Sequence, residues 1–399
     1  MRKRRHNAEG KPCIFDHLKL LVVSHSCATP LNQQIYAEIR RQTGWDITLL
    51  VPDNWRDEFG NTLETTLWNG CDLDLRRVPV WNNGNIILHW YRHQWGRFLD
   101  RERFDANVNH EPYAIATGQV AWANARGAKV PMGFYSCQNL IKRYPLPFRW
   151  LEQMVYKNSS FAFPITDAVA GILRHKGFLG DMAVCPLPLD PSIYFPYPKE
   201  ARPAAMMRNE ETVMLGFAGR VIEAKGLRTL ALALCQLLDL DWKFTVIGTG
   251  PFVAEFKAIL DRGGVLPRLI QAGFVAHEET PKYLAALDIL VLPSETQQNW
   301  KEQFGRVIPE ALACGAAVVG SDSGEIPNLI RVSEGGLVFP ERDAGALGNA
   351  LRELIVDREK RKCMAECGRR WVTGHISLQP VAARMVAIVR RAVGKKQAP

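Results

Sequence analysis

Short apolar runs alternate with longer stretches of helical period along most of the chain. In the first half, residues 18–24, 46–51, 104–109, 132–136 and 161–166 read as buried strands. Helices are expected over 31–43, 114–126 and 148–158. In the second half, 213–217, 243–247, 269–272, 289–292 and 316–319 repeat the strand signal, each followed by a turn and a helical stretch. Strand and helix in alternation mean an α/β protein with parallel sheets. Between the halves, Pro186, Pro188 and Pro191, then Pro198 and Pro203, break the pattern and read as an inter-domain linker. With 399 residues, two Rossmann-like domains are expected, over 13–188 and 205–376.

Composition narrows the class. Apolar residues make up 47% and charged residues 23%, as in a soluble globular protein. No apolar run reaches eighteen residues, so no transmembrane helix is expected, and 18–24 is too short for a secretory segment. The nine cysteines are scattered, none in Cys-x-x-Cys, and Cys363 and Cys367 lack a nearby His pair. Reduced thiols in the cytoplasm, with no metal site, are the expectation. The net charge of +9 gathers at Arg2 to Arg5 and at Arg390, Arg391, Lys395 and Lys396. Solvated tails are the plain reading; peripheral contact with an anionic membrane face is the other. No nucleic-acid module accompanies the charge. Aromatic and basic residues also mix over 86–103 and 142–150. There the rings are expected to face the core and the cations water, a membrane interface again being the alternative.

The densest chemistry lies near the C-terminal end. Glu302 and Glu310 stand eight residues apart, flanking Phe304-Gly305-Arg306. A helix is expected from near Gly305 to Gly315, with Pro309 in its first turn. Free N–H groups at a helix start suit a phosphate, and carboxylates accept hydrogen bonds from sugar hydroxyls. The segment therefore reads as a site for a sugar–diphosphate–nucleoside. Upstream, a buried strand runs into Gly219-Arg220, and Lys225-Gly226 follows after four intervening residues. Two fixed cations at a strand end suit the developing charge of a diphosphate leaving group.

Together these elements resemble the E-x7-E and G-R…K-G elements of the retaining family-4 (group 1) glycosyltransferases. The resemblance implies the GT-B fold, with two Rossmann-like domains facing a central cleft and a final helix, 377–394, crossing back to the first. It implies Glu302 on the donor sugar, Glu310 on the ribose, and Arg220 and Lys225 on the diphosphate. Gly219 and the backbone of Phe304, Gly305 and Arg306 would line the same ligand. Gly248-Thr249-Gly250 follows a strand but lacks the third glycine of a dinucleotide fingerprint, so Gly248 and Gly250 read as a turn beside the donor. Val275 lies in the loop expected to receive the base. The resemblance implies a nucleotide-diphosphate sugar as co-substrate, with no further cofactor and no metal.

The acceptor, a glycan, a lipid-linked molecule or a small molecule, is assigned to the first domain. There His110 and Glu111 end a strand, and Gln138 and Asn139 end the next. The first-strand loop, His25-Ser26-Cys27-Ala28, departs from the Gly-Gly loop of many relatives. Two alternatives share the sequence features: a non-catalytic sugar-nucleotide-binding protein on the same fold, and a nicotinamide-dependent oxidoreductase, disfavoured by the broken glycine pattern.

Overall fold

A computed structural model describes residues 17–56 and 60–397. The chain divides into two compact units, one running to Pro188 and including the segment from Leu378 onward, the other Leu189–Ser377.

The first unit is built on seven parallel strands: β1 (Lys19–Val23), β2 (Asp46–Pro52), β3 (Asp74–Val78), β4 (Ala106–His110), β5 (Met132–Ser136), β6 (Phe161–Pro164) and β7 (Asp181–Met182). Their order is β7-β6-β5-β4-β1-β2-β3. The inner strands are buried on both faces, as expected for a parallel sheet covered by helices, and mostly apolar; β4 is the exception, with buried Asn107 and Asn109. Those helices are α1 (Gln34–Thr43), α2 (Trp95–Glu102), α3 (Ile115–Arg126), α4 (Phe148–Asn158) and α5 (Asp167–His175). The expected helix over 31–43 starts as a 3-10 turn, Pro30–Gln33, before α1. It stops at Gly44, whose φ of +69° closes the C-terminus.

The second unit carries six parallel strands: β8 (Val213–Ala218), β9 (Trp242–Ile247), β10 (Leu269–Gly273), β11 (Ile289–Leu292), β12 (Ala317–Ser321) and β13 (Gly336–Phe339). Their order is β10-β9-β8-β11-β12-β13. Helices α6 (Leu227–Leu234), α7 (Val253–Arg262), α8 (Thr280–Ala285), α9 (Val307–Ala313), α10 (Ile326–Ser333), α11 (Ala344–Val356) and α12 (Arg358–His375) complete it. The final helix, α13 (Leu378–Gln397), belongs to the first unit and packs on α1.

In both units the chain reverses direction across the sheet between its first and fourth strands, β1 beside β4 and β8 beside β11. The carboxyl ends at such a switch point leave a crevice where ligands bind. The residues after β1, β4, β8 and β11 are thereby the candidates for chemistry.

The proline-rich section is expected to link the two domains, and the boundary does fall within it. The boundary falls at Pro188, and the stretch beyond it is built into the second unit: Leu189 bridges Ser377 and Tyr194 is buried. The apolar Leu and aromatic Tyr between the prolines give that stretch something to bury.

Candidate active site

The second unit brings its candidate residues together through glycines. Gly226 has φ +67°, and a Cβ there would lie 1.8 Å from the Pro293 carbonyl oxygen. Only glycine lets the turn Glu223–Lys225 seat directly on the chain leaving β11. That seating places Lys225 Nζ 2.6 Å from Glu302 Oε2, the two side chains almost buried. The Ser294 hydroxyl donates to the same carboxylate oxygen at 2.8 Å. The Lys225 ammonium also lies 5.0 Å from the Trp300 ring centroid. Gly324, at φ +58°, comes so close to the Glu302 carbonyl that a Cβ would stand 2.0 Å from its oxygen. Glu302 is thus fixed from both backbone and side chain.

The helix after Glu302 starts later than its sequence pattern predicts. Gly305 takes φ +67°, outside the helix, and α9 begins at Val307. Pro309 lies in its first turn, where its missing N–H costs nothing. The Phe304 side chain is buried in the core, so only its backbone faces any ligand. Arg306 Nε donates to Glu310 Oε1 at 2.9 Å. Glu310 is buried, and burial raises its carboxyl above the ordinary range, opposed by Arg306, His277 and the Tyr194 hydroxyl. Tyr194 and His277 also meet each other at 3.3 Å. Sequence reasoning misses both; they come from segments far from Glu310 and carry no motif.

Gly248 and Gly250 form a backbone-to-backbone seat. A Cβ at Gly248 would meet the Gly219 carbonyl oxygen at 2.0 Å, and one at Gly250 the Val221 oxygen at 2.3 Å. Both glycines therefore hold the loop that carries Arg220, which is exposed. Val275 is half-buried after β10, next to Phe274, which is 82% exposed.

The first unit repeats the logic at its own switch point. His110 ends β4 with Nδ1 3.2 Å from Ser26 Oγ and Nε2 2.9 Å from the Tyr36 hydroxyl. Its ring stacks on Tyr135 at 5.4 Å between centroids. Burial pushes its pKa down to about 4, so the imidazole is neutral at pH 7. Ser26 lies in the atypical loop after β1, which therefore does reach the site. Glu111 adopts φ +61°, a rare conformation for a residue with a side chain. Its carboxylate accepts from Ser136 Oγ at 3.0 Å and from the Cys137 N–H at 2.9 Å. Burial nonetheless pushes its pKa up to about 7. Its oxygens are spent on holding the end of β5, which makes it a positioning group for Cys137 to Asn139.

Gln138 is buried and spans Tyr144 and Lys176: its amide donates to the Tyr144 hydroxyl at 2.8 Å and its oxygen accepts from Lys176 Nζ at 3.1 Å. Lys176 pairs with the buried Glu152 at 2.5 Å. Gln138 therefore belongs to an internal polar network; Asn139 is buried beside it. No sequence signal marks this network, whose members lie after β5 (Gln138), before and on α4 (Tyr144 and Glu152) and at the end of α5 (Lys176).

Known proteins resemble this chain in sequence and in fold. The profile of the glycosyl transferases group 1 matches residues 199–371. A GDP-mannose-dependent alpha-(1-6)-phosphatidylinositol monomannoside mannosyltransferase of Mycobacterium tuberculosis is 29% identical over 176 residues, covering 43% of this chain and 46% of its own. The chain thus aligns with about half the length of that relative. A 2-deoxystreptamine glucosyltransferase of Streptomyces kanamyceticus is 26% identical across 77% of this chain and 80% of its own. Among solved structures, Anabaena HepE in complex with UDP superposes with a TM-score of 0.74 at 17% identity, over 94% of this chain and all of that one. Sucrose-phosphate synthase from Thermosynechococcus elongatus gives 0.70 at 18%, over 95% and all of it. At those identities the likeness shows the fold, the two-unit GT-B architecture.

Proposed function

We propose that this chain, a member of the group 1 glycosyl transferases, moves a sugar from a nucleotide-diphosphate sugar to an acceptor hydroxyl with retention of configuration. The observation that carries the reading is the Lys225–Glu302 pair at the switch point of the second unit. A cation suited to a diphosphate and an acid suited to sugar hydroxyls stand in direct contact there.

In this reading Lys225 and Arg220 meet the diphosphate, Glu302 the sugar and Glu310 the ribose. The buried Glu310 has Arg306 beside it, which keeps an acceptor available to ribose hydroxyls. The acceptor hydroxyl attacks the anomeric carbon on the face the diphosphate leaves. The new C–O bond forms as the old one breaks, and a donor phosphate oxygen takes the proton. Neutral His110 spends both ring nitrogens on the Ser26 and Tyr36 hydroxyls, and so orders the end of β4 without adding charge. Two cations meet the leaving charge, so the reaction is read as metal-independent. The acceptor is a glycan, a lipid-linked molecule or a small molecule, and the site of action is the cytoplasm. Among the described residues no helix is long and apolar enough to cross a membrane.

Thermal-shift titration with UDP, GDP and ADP, followed by a panel of the matching nucleotide sugars, tests this. One diphosphate raising the melting temperature, and release of that diphosphate from one donor, is the expected result. No binding of any of the three overturns it.

A further inference from the structure

The first unit exposes an apolar groove of about 1010 Å³ between α2, α3 and α4, distinct from its switch point. Its lining includes Trp90, Trp122 and Trp150, which are 46%, 51% and 62% exposed. Trp81 pairs across the short antiparallel ribbon from Trp90 and is 57% exposed, on the same face of that ribbon. The rings at the bottom of the same region, Tyr91, Trp95 and Phe98, are buried. A core explains those three; it does not explain four half-exposed tryptophans, each leaving a large apolar surface in water.

The arrangement is built rather than incidental. Gly118 on α3 lets Leu151 of α4 approach so closely that a Cβ would lie 2.5 Å from its methyl carbon. This brings the helices bearing Trp122 and Trp150 side by side. Cations stand among the rings. Arg97 and Arg126 line the groove, Arg126 lying 4.0 Å over the Trp122 ring, and Asp100 is the one acid in the lining. Arg92 and Arg149 are exposed next to Tyr91 and Trp150 in the chain.

We propose that this face docks on an anionic lipid bilayer. Tryptophan has an apolar body with one polar N–H and settles at a membrane–water interface, while arginine beside it meets lipid phosphate. A protein partner would leave the surplus of arginine without a stated complement; an anionic leaflet supplies it. The C-terminal cations are less available for this. Lys395 pairs with Asp181, Lys396 donates to the Lys129 carbonyl and Arg390 lies over the Trp45 ring. The basic segment Arg2 to Arg5 lies outside the described residues.

The test is co-sedimentation of the full chain with vesicles of phosphatidylglycerol and, separately, of phosphatidylcholine, at rising salt. Wild type should bind the anionic vesicles at low salt, at least tenfold more tightly than the neutral ones, with tryptophan emission shifting to shorter wavelength. The double substitution Trp122→Ser with Trp150→Ser should weaken that binding at least tenfold. Arg97→Ala with Arg126→Ala should weaken it and flatten its salt dependence. Both double variants should bind nucleoside diphosphate like wild type, so the result stands apart from the donor-site reading. No binding to phosphatidylglycerol at low salt overturns the proposal. So does binding unchanged in both double variants, which would assign it to the basic tails. A tryptophan-dependent dimer without vesicle binding overturns it in favour of a second copy of this chain.

Discussion

Lys225 and Glu302 lie 77 residues apart in sequence and 2.6 Å apart in space. The ion pair exists because Gly226 lets one loop rest on the other. In the absence of donor, the cation assigned to the diphosphate is therefore held on the acid assigned to the sugar. Donor phosphate must compete for it. Lys225→Ala should weaken nucleoside diphosphate binding roughly ten- to a hundredfold, the value of a charged hydrogen bond of about 1.5–3 kcal/mol. Isothermal titration checks this; equal affinity would remove Lys225 from the site.

The seating itself can be probed with a methyl group. At Gly226 an alanine adds both a strained φ and a 1.8 Å collision with the Pro293 carbonyl. At Gly264, where φ is +72° but nothing lies within 4 Å, alanine adds only the strain. Gly264→Ala should cost about 1 kcal/mol, and Gly226→Ala clearly more, with loss of turnover. Urea melts and initial rates compare the pair. Equal costs would mean that the two loops do not need this close contact.

Glu111 makes a prediction about pH. Its folded pKa of about 7 lies above the ordinary 4.5. The folded state keeps a proton that the unfolded chain gives up, so this group's contribution is full below 4.5 and is lost as pH rises to about 7. His110, lowered to about 4 from 6.5, acts in the opposite sense and gains stability as pH rises over that range. Glu111→Gln removes only the first effect. Relative to wild type, its stability should rise between pH 4.5 and 7 by up to roughly 3 kcal/mol, then level off. Chemical denaturation at half-unit pH steps measures it. A stability difference that does not vary with pH would contradict the buried, raised carboxyl.

Much of this architecture is legible in the chain itself. Strands 132–136 and 289–292 are marked by largely apolar runs and helix 148–158 by apolar residues at helical spacing, Phe148, Leu151 and Val155, and the structure places them there. The edge strands β3 and β13 are not so marked. β3 reads Asp-Leu-Arg-Arg-Val because it is half-exposed, and β13 opens on glycine. Helix α9 begins at Val307 rather than near Gly305 because the positive φ of Gly305 is spent on the turn before it. Motif residues such as Glu302 and Lys225 stand out by spacing. Their partners do not: Ser294, Tyr36, Ser26 and Tyr194 reach the sites through folding, and an isolated Ser or Tyr carries no signal of that. Trp90 and Trp95 show the same limit, since one is exposed and the other buried within a single aromatic stretch.

The two acids test the donor site most directly, because their assigned partners separate when the sugar is absent. Glu310→Gln and Glu302→Gln each keep the shape and replace one acceptor oxygen with an amide. Calorimetric titration with whichever of UDP, GDP or ADP binds wild type, paired with initial rates on the intact donor, reads both roles. Glu310→Gln should weaken diphosphate binding about tenfold, because the ribose belongs to that ligand. Glu302→Gln should bind it as tightly as wild type or more tightly, since Lys225 is released from its acid, while turnover of the donor falls. Wild-type binding and turnover in both variants, or loss of diphosphate binding in Glu302→Gln alone, would contradict the account.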